Sequence, residues 1–559
     1  MRREASVVNK KVCSFPILFA LLTLLIGTCA VVFPASAQAA PTSTGSITVS
    51  GTVASSYDAY QIFSANVVDG DSDAKIATDL AWASDAVRDA ALPVLHSAGM
   101  PNSQTTAQEA AEWLNTDSHL TSALSAQLAR SLQNSGAELA ALNAGTAAEL
   151  PCGYWLIVAD DDAIAQGEAG TAPIMALVGG SAVTVKPKAA TPKVSKHVLE
   201  DSTAAWQKAA DATVADDLYW RLSATVPAGL TAYDTYTVQF VDTMSAGLDP
   251  SKVAASMRVY VAAGADGGFD AVSADKDGRA GTEPAKGWTD IAAQCATKVA
   301  ADGKTFTVRT GDLIAALGGA DAFTAGARVV AVYNAPLNGA CNHGIAKGNP
   351  NEVYLRYPRS PFADQSGDAG FTRTPSDDAC AYTWDLALTK RGSDGDKPLA
   401  GAVLSIADDR GRTLAADGTW DAEGKATVTT GDDGRVTVSG VDSGKLEVRE
   451  LKAPKGYTAF EGTRSVTVKA KGLDVDQVAA AKPKLTITAE SPLRADSADG
   501  STGSLEASLI NTPTNVPPRG FMPSTGDMAM YAAAAAAVAG AALIVVALLV
   551  KRGGGSHKE

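Results

Sequence analysis

An uncharged apolar run near the C-terminus, residues 528–550, constrains this chain more than any other feature. A helix of about 20 apolar residues crosses a bilayer core of about 30 Å, so the run predicts a transmembrane segment. Lys551 and Arg552 follow it directly, and basic residues are typical of the cytoplasmic end of a span. We therefore expect the tail, residues 551–559, inside the cell and the bulk of the chain outside it.

A second apolar run lies at the N-terminus. Basic residues come first, the apolar stretch continues to Phe33, and small residues with Ala-x-Ala spacing follow. This order is typical of a secretory signal peptide, so we expect residues 1–39 to be removed. An even number of cysteines then remains, which in a secreted protein suggests one or two disulfides, with buried free thiols as the alternative. Their pairing stays open, and they are Cys152, Cys295, Cys341 and Cys380.

Composition predicts a globular, acidic protein of several domains. Hydrophobic residues make up 46% and charged residues 19% of the 559 residues, which favours three or four folded domains over disorder. The formal net charge of −14 argues against nucleic acid as a partner. The five histidines show no metal-ligand or triad spacing and there is no phosphate loop, so we expect no enzyme active site, no metal and no cofactor.

The segment before the C-terminal run carries a motif. Met522, Pro523, Ser524, Thr525 and Gly526 are consecutive, and with the apolar span and basic tail they resemble the L-P-x-T-G sorting signal of Gram-positive surface proteins. The resemblance implies that a sortase cleaves between Thr and Gly and passes the Thr carbonyl to an amine. Residues 516–526 would be a Pro-rich tether with this signal, and the precursor would be held in the membrane only until it is cut.

Residues 40–185 predict an α+β N-terminal domain. Strand-like sequence opens it, and Ala- and Leu-rich helical spacing follows over roughly 76–97, 105–115 and 118–143. Residues 150–156 resemble a strand motif in the N-terminal domain of Gram-positive pilins.

Residues 186–195 form a joint rich in Pro and Lys, typical of a stiff linker. Val185-Lys186-Pro187-Lys188 resembles the pilin motif, commonly V-Y-P-K, whose Lys is the nucleophile in pilus polymerisation. Aligning Pro-Lys with Pro-Lys selects Lys188, with Lys186 and Lys193 as the competitors.

Residues 196–365 alternate with a period of two between Gly- and Asp-containing turns, which predicts a β-sandwich. Residues 241–248 and 333–338 resemble segments of the collagen-adhesin A-type domain of pilins. The resemblance implies a Lys–Asn isopeptide bond in which Lys196 is the nucleophile and Asp242 the acid. The family's last strand reads Y-S-N-N-P, whereas residues 357–361 contain no Asn, so the acceptor stays open.

Residues 380–515 predict a second, smaller sandwich. Three segments in order, 384–390, 446–457 and 505–513, closely resemble the collagen-adhesin B-type domain. The resemblance implies that the Lys390 amine attacks the Asn511 side-chain carbonyl and releases ammonia. Burial withdraws the amine from water and favours its neutral, nucleophilic form, while Glu450 polarises the Asn amide.

The whole chain resembles the backbone pilin of a sortase-assembled Gram-positive pilus. We therefore expect a mainly β protein of tandem Ig-like sandwiches that is secreted and linked to the cell wall. The implied partners are a pilus-specific sortase, identical subunits and peptidoglycan. Accessory pilins and a host surface ligand stay open as further partners. The alternatives are a wall-anchored or accessory adhesin, which needs no acceptor Lys, and a secreted enzyme held at the wall.

Overall fold

The computed structural model describes residues 43–514, apart from 71–73, 117–118, 171, 188–190, 228–229, 265–267, 276 and 325. The predicted signal peptide, Lys188, the sorting motif and the predicted span at 528–550 lie outside the described residues. Within the described part, no helix is both long and apolar enough to cross a membrane.

The N-terminal domain has two sheets and a helical layer. One sheet has the order β5-β1-β8, and the other has β2 paired with β3, β4 and β6, with β7 beyond β6. Three helices cover the second sheet and share a core with β2 and β6. The elements are β1 (Thr44–Val49), β2 (Ser56–Asp69), β3 (Lys75–Trp82), α1 (Asp85–Ser97), α2 (Ala107–Asn115), α3 (Ser122–Gln133), β4 (Leu139–Asn143), β5 (Ala147–Pro151), β6 (Gly153–Ala159), β7 (Ile174–Val178) and β8 (Val183–Val185).

The helical layer is shorter than its sequence pattern predicts. The helix expected from residue 76 begins only at Asp85, because the preceding residues form β3 against β2. The helix expected to reach residue 143 ends at Gln133, because β4 also pairs with β2. Alanine-rich sequence fits a helix by propensity, but pairing with the long strand β2 overrides that preference.

The middle domain is a sandwich of two sheets that enclose one core. One sheet has the order β10-β9-β12-β18-β14-β15, and the other has β11-β21-β19-β13-β17-β16, with β20 beside β19. The elements are β9 (Val194–Glu200), β10 (Ala205–Gln207), β11 (Ala209–Asp211), β12 (Tyr219–Thr225), β13 (Gln239–Met244), α4 (Val253–Ser256), β14 (Arg258–Ala262), β15 (Thr289–Asp290), β16 (Ala296–Val299), β17 (Thr305–Arg309), α5 (Leu313–Ala316), β18 (Arg328–Asn334), β19 (Asn349–Pro358), β20 (Phe371–Arg373) and β21 (Asp377–Tyr382).

The C-terminal domain is a second sandwich. Its first sheet has the order β27-β22-β33-β29, with β32 also on β33, and its second has β25-β24-β23-β28-β30-β31, with β26 on β23. The strands are β22 (Trp384–Gly392), β23 (Val403–Ala407), β24 (Thr413–Leu414), β25 (Trp420–Asp421), β26 (Val428–Thr429), β27 (Arg435–Val441), β28 (Gly444–Lys452), β29 (Tyr457–Thr458), β30 (Thr463–Lys471), β31 (Lys484–Ala489), β32 (Leu493–Asp499) and β33 (Ser504–Pro513).

The middle and C-terminal domains share a buried junction. Asp211 Oδ2, at the end of β11, accepts hydrogen bonds from Trp384 Nε1 at 2.6 Å and from the Ser443 amide at 2.9 Å. At the rim of the junction, Asp216 pairs with Arg410 and Arg412 at 2.8 and 2.5 Å. These contacts fix the two sandwiches against each other at their shared end.

All four cysteines of the described chain are free thiols. Cys152 and Cys380 are buried, while Cys295 and Cys341 are partly exposed. The expectation of one or two disulfides is therefore wrong in this structure, and the alternative of buried free thiols holds for Cys152 and Cys380. An even cysteine count reports only that pairing is possible, whereas a bond needs two Cβ atoms about 4 Å apart.

Candidate functional site: two buried clusters of lysine, carboxylate and asparagine

The cluster in the C-terminal domain depends on a parallel pairing of its first and last strands. Along β22 and β33, Lys390 lies opposite Leu509 and Gly392 opposite Asn511. Strand side chains alternate between faces, so Lys390 and Asn511 point into the same sandwich interior. Glu450 reaches them from β28 in the facing sheet. The three residues predicted from the sequence therefore meet between the two sheets.

The three side chains contact one another directly. Lys390 Nζ donates a hydrogen bond to Asn511 Oδ1 and lies 3.3 Å from Glu450 Oε1. Asn511 Nδ2 donates to Glu450 Oε1 and Oε2 at 2.8 and 3.1 Å. The amine thus lies against the amide carbonyl, and the carboxylate lies against the nitrogen that would leave.

Burial controls the charge of this amine. The side chains of Lys390 and Glu450 are both 0% exposed. Desolvation lowers the pKa of Lys390 to about 8, although the charge of Glu450 acts in the opposite direction. A larger fraction of this amine is therefore uncharged than would be in water, and only the uncharged form can attack a carbonyl.

The middle domain contains a comparable cluster. Lys196 on β9 donates hydrogen bonds to Asp242 on β13 and to the hydroxyl of Tyr333 on β18, the latter at 2.9 Å. Tyr333 in turn donates to Asp242 Oδ2 at 3.0 Å. The predicted nucleophile and acid are thus in contact, and Tyr333, which the sequence analysis did not identify, joins them.

Both charged members of this cluster are displaced toward their neutral forms. Lys196 and Asp242 are each 0% exposed. Desolvation lowers the pKa of Lys196 to about 8 and raises the pKa of Asp242, while the attraction within the pair opposes both shifts. The pair is therefore suited to exchanging a proton in a dry interior.

An asparagine missing from the sequence analysis completes the middle cluster. Asn351 on β19 is 0% exposed, and its Nδ2 donates to the Tyr333 hydroxyl at 2.8 Å. Neither Asn351 Oδ1 nor Asp242 Oδ1 has a hydrogen-bond partner. The family resemblance places the acceptor at residues 357–361, which begin at the far end of the same strand and continue beyond it. The strand period of two could have found Asn351, because it shares the inner face with Val353, Leu355 and Tyr357.

The neighbouring Asn349 is buried for a different reason. Its side chain bonds only to backbone groups: it accepts from the Asn342 amide at 2.8 Å and donates to Asn342 O and Ala381 O at 2.9 and 3.2 Å. Its hydrogen-bonding capacity is used in holding a loop. Asn351 is therefore the better candidate acceptor of the two.

The residues predicted for sorting and polymerisation cannot be placed relative to the two clusters. Lys188 and residues 522–526 lie outside the described residues. The two competitors to Lys188, which are Lys186 and Lys193, are both exposed. Among the described residues, no group of three or more His, Cys, Asp or Glu side chains could hold a metal ion.

The C-terminal domain is similar to a known family. Residues 385–482 match the family described as SpaA, a prealbumin-like fold domain. The chain is 30% identical over 143 residues to the trypsin-resistant surface T6 protein of Streptococcus pyogenes serotype M6. That homology covers 24% of this chain and 24% of the T6 protein, so the chain matches about a quarter of the relative's length.

Several solved structures match most of this chain at low sequence identity. The T6 backbone pilin of serotype M6 Streptococcus pyogenes is 17% identical, with a TM-score of 0.46, over 86% of this chain and 100% of that one. The full-length major pilin SpaD from Corynebacterium diphtheriae is 14% identical, with a TM-score of 0.41, over 86% and 100%. BcpA, the major pilin subunit of Bacillus cereus, is 11% identical, with a TM-score of 0.38, over 84% and 99%.

Proposed function

We propose that this chain is the shaft subunit of a covalently assembled pilus on a Gram-positive cell surface, with internal isopeptide bonds that stabilise its domains. The observation that carries the proposal is the buried contact of Lys390, Glu450 and Asn511 between the first, last and facing strands of a SpaA-type domain. Homology to a surface protein named for trypsin resistance agrees with it.

The reaction in the C-terminal domain needs only the three residues of its cluster. The neutral Lys390 amine attacks the side-chain carbonyl carbon of Asn511, a bond forms from Nζ to that carbon, and the bond to Nδ2 breaks. Glu450 carries a proton from Nζ to Nδ2, so that ammonia leaves. Folding provides the proximity, and such positioning is worth up to about 7–11 kcal/mol of the barrier.

The same reaction joins Lys196 to Asn351 in the middle domain. Asp242 transfers the proton, and the Tyr333 hydroxyl holds the amide nitrogen of Asn351 beside the amine. The carbonyl oxygen of Asn351, which has no partner, is the atom on which negative charge develops during attack. A protonated Asp242 donates a proton to that oxygen and so neutralises the charge.

These bonds explain why such a subunit suits a fibre under tension. The C-terminal bond ties together the two strands at which force enters and leaves the domain, so pulling does not separate them. A bond that closes a loop of more than 100 residues stabilises by about 5 kcal/mol in the chain-entropy account of disulfides, which we apply by analogy.

Assembly uses the sorting motif near the C-terminus of one subunit and the joint between the N-terminal and middle domains of the next. A pilus-specific sortase breaks the bond between Thr525 and Gly526 and holds the Thr acyl group. Lys188 of the next subunit then takes that acyl group through its amine, and the last subunit is passed to an amine of the peptidoglycan. Such a head-to-tail contact does not close into a ring, so it builds a filament.

Substitution of Lys188 tests the assembly step. Lys188→Ala is expected to abolish the high-mass ladder of covalent polymers from the producing cell while the monomer is still made and sorted to the wall. The matched controls are Lys186→Ala and Lys193→Ala, which remove exposed lysines from the same joint. An unchanged ladder from Lys188→Ala would rule out this residue as the acceptor, and loss of the ladder in one control would transfer the role to that lysine.

A further inference from the structure

A cysteine, a histidine and an aspartate lie together away from both isopeptide clusters. Cys341 Sγ is 3.5 Å from His343 Nε2, and His343 Nδ1 is 2.7 Å from Asp385 Oδ2. The second contact has ion-pair distance without the angle of a good hydrogen bond. A nucleophile beside a base, with a carboxylate behind the base, is the arrangement that activates side chains for covalent chemistry.

Both domains hold this arrangement in place. The Cys341 amide donates to Asn338 O in a turn at 3.0 Å, and the Gly344 amide donates to Thr383 O at 3.0 Å. Asp385, the second residue of β22, is held from the other side, since its Oδ1 accepts from Ser439 Oγ at 2.6 Å and from the Gly440 amide at 3.1 Å. The loop of the middle domain is thus docked against an oriented carboxylate of the C-terminal domain.

The other cysteines in the described part of the chain, Cys152, Cys295 and Cys380, form no hydrogen bond to a histidine. Cys295 is also partly exposed, but its thiol donates to Ile291 O at 3.3 Å, and burial raises its pKa to about 11. Cys380 is buried, with its pKa likewise raised to about 11 by burial. Cys341 is the partly exposed thiol that contacts an imidazole, and the two residues before it, Gly339 and Ala340, are exposed.

We propose that Cys341, His343 and Asp385 form a reactive-thiol site that exchanges with low-molecular-weight disulfides and so carries a small thiol as a mixed disulfide on the subunit surface. Cys341 is only partly exposed, so we expect a small molecule to reach it more readily than a folded protein does. Neither isopeptide formation nor sorting uses this site.

The exchange is balanced without any other reagent. The Cys341 proton passes to His343 Nε2, the sulfur attacks one sulfur of the small disulfide, and that disulfide bond breaks as the new one forms. The departing thiolate takes the proton back from the imidazolium, whose charge faces Asp385. Burial and the charge of Asp385 raise the pKa of the Cys341 thiol, so little free thiolate is present at neutral pH and attack depends on the imidazole.

The test uses the full-length chain in detergent and 4,4′-dithiodipyridine, a neutral small disulfide that releases a coloured product. We expect Cys341 to react first at pH 7, identified by peptide mass mapping, and Cys295→Ser to leave the fast phase intact. His343→Gly should slow the fast phase by about a hundredfold, the lower end of general-base assistance. Added imidazole should restore the rate in His343→Gly and leave the wild-type rate unchanged.

Asp385 is a positioning residue in this scheme, so it has its own comparison. Asp385→Asn should slow labelling of Cys341, and Asp385→Glu should recover part of the rate, while melting temperatures show that both variants fold. Three results would overturn the proposal: Cys341 reacting no faster than Cys295, His343→Gly reacting at the wild-type rate, or non-reducing mass spectra in which Cys341 is already paired with another cysteine of the chain.

Discussion

At the scale of single residues, the feature that the two clusters share is a lysine side chain that is fully buried. Lysines are almost never fully buried unless they are paired, and Lys196 and Lys390, each 0% exposed, both contact a buried carboxylate. In both cases the pKa of the amine falls to about 8, because desolvation outweighs the neighbouring carboxylate. Burial therefore shifts both amines toward the neutral, nucleophilic form before any isopeptide bond forms.

The mass of the intact chain tests the role of Glu450. The measured mass of the wild-type chain should be lower than the mass calculated from its sequence by one ammonia for each isopeptide bond. In Glu450→Gln the deficit should be smaller by one ammonia, because the residue that transfers the proton is gone. Glu447→Gln is the matched control, since Glu447 is an exposed carboxylate on the same strand. If Glu450→Gln loses as much ammonia as wild type, Glu450 has no part in the mechanism. If wild type has its full sequence mass, the bonds do not form.

At the scale of elements, β19 shows how strand periodicity selects a reacting group. Asn349, Asn351, Val353, Leu355 and Tyr357 are all buried, and the residues between them are more exposed, apart from the strand's end. A shift of one residue in register would turn Asn351 to solvent. The acceptor is thus determined by the pairing of β19 with β13 as much as by the residue itself.

Removal of Asn351 tests this assignment. In Asn351→Ala the mass deficit of the intact chain should be smaller by one ammonia than in wild type. The free energy of unfolding of the middle domain should fall by up to about 5 kcal/mol, because the unfolded chain is no longer cross-linked. Both effects can be read by intact mass and by the rate of cleavage by trypsin. Glu352→Ala, an exposed change at the next position, should alter neither. An unchanged ammonia loss in Asn351→Ala would contradict the assignment.

At the scale of the whole molecule, the junction between the middle and C-terminal domains brings carboxyl groups together. Burial, followed by the nearby charge of Asp211, raises the pKa of Glu200 to about 8. Burial also raises the pKa values of Asp201 and Asp442, with Asp211 again contributing. Arg410 faces Asp201 and lowers its pKa, but it does not cancel the effect of burial. The junction is therefore most compatible with protonated carboxyl groups.

This junction predicts a pH dependence of stability. A folded-state pKa above the unfolded value of 4.5 means that the folded chain binds more protons between pH 4.5 and about 8. The contribution of Glu200 to the free energy of unfolding is thus full below pH 4.5 and declines as pH rises toward 8. The melting temperature should fall over that interval, by roughly 2–4 °C per kcal/mol lost.

Glu200→Gln isolates this contribution. The amide keeps the shape of the side chain and cannot ionise, so the melting temperature should fall less steeply between pH 5 and 8 than in wild type. Glu283→Gln, which removes an exposed carboxylate of the same domain, serves as the control and should leave the slope unchanged. An identical slope in Glu200→Gln and wild type would remove Glu200 from the pH dependence.

Much of the architecture follows from local sequence. Alternation with a period of two, broken by Gly and Asp turns, predicted two sandwiches after an α+β domain, and the structure is mainly β with these parts in this order. The motif order also identified Lys390, Glu450, Asn511, Lys196 and Asp242, and the structure brings each set together. These five residues were identified through the resemblance to collagen-adhesin domains, whose motifs are short stretches of sequence on single strands, whereas their burial depends on the fold.

Tertiary structure decided what depends on contacts between distant segments. The N-terminal residues with helical composition became β3 and β4 because β2 offered them strand partners. The middle cluster gained Tyr333 and Asn351 because β18 lies near β9 in the same sheet and β19 lies in the facing sheet. The contact of Cys341, His343 and Asp385 exists only because one domain docks on the next. Composition and periodicity describe each segment alone, whereas these sites depend on which side chains share an interior.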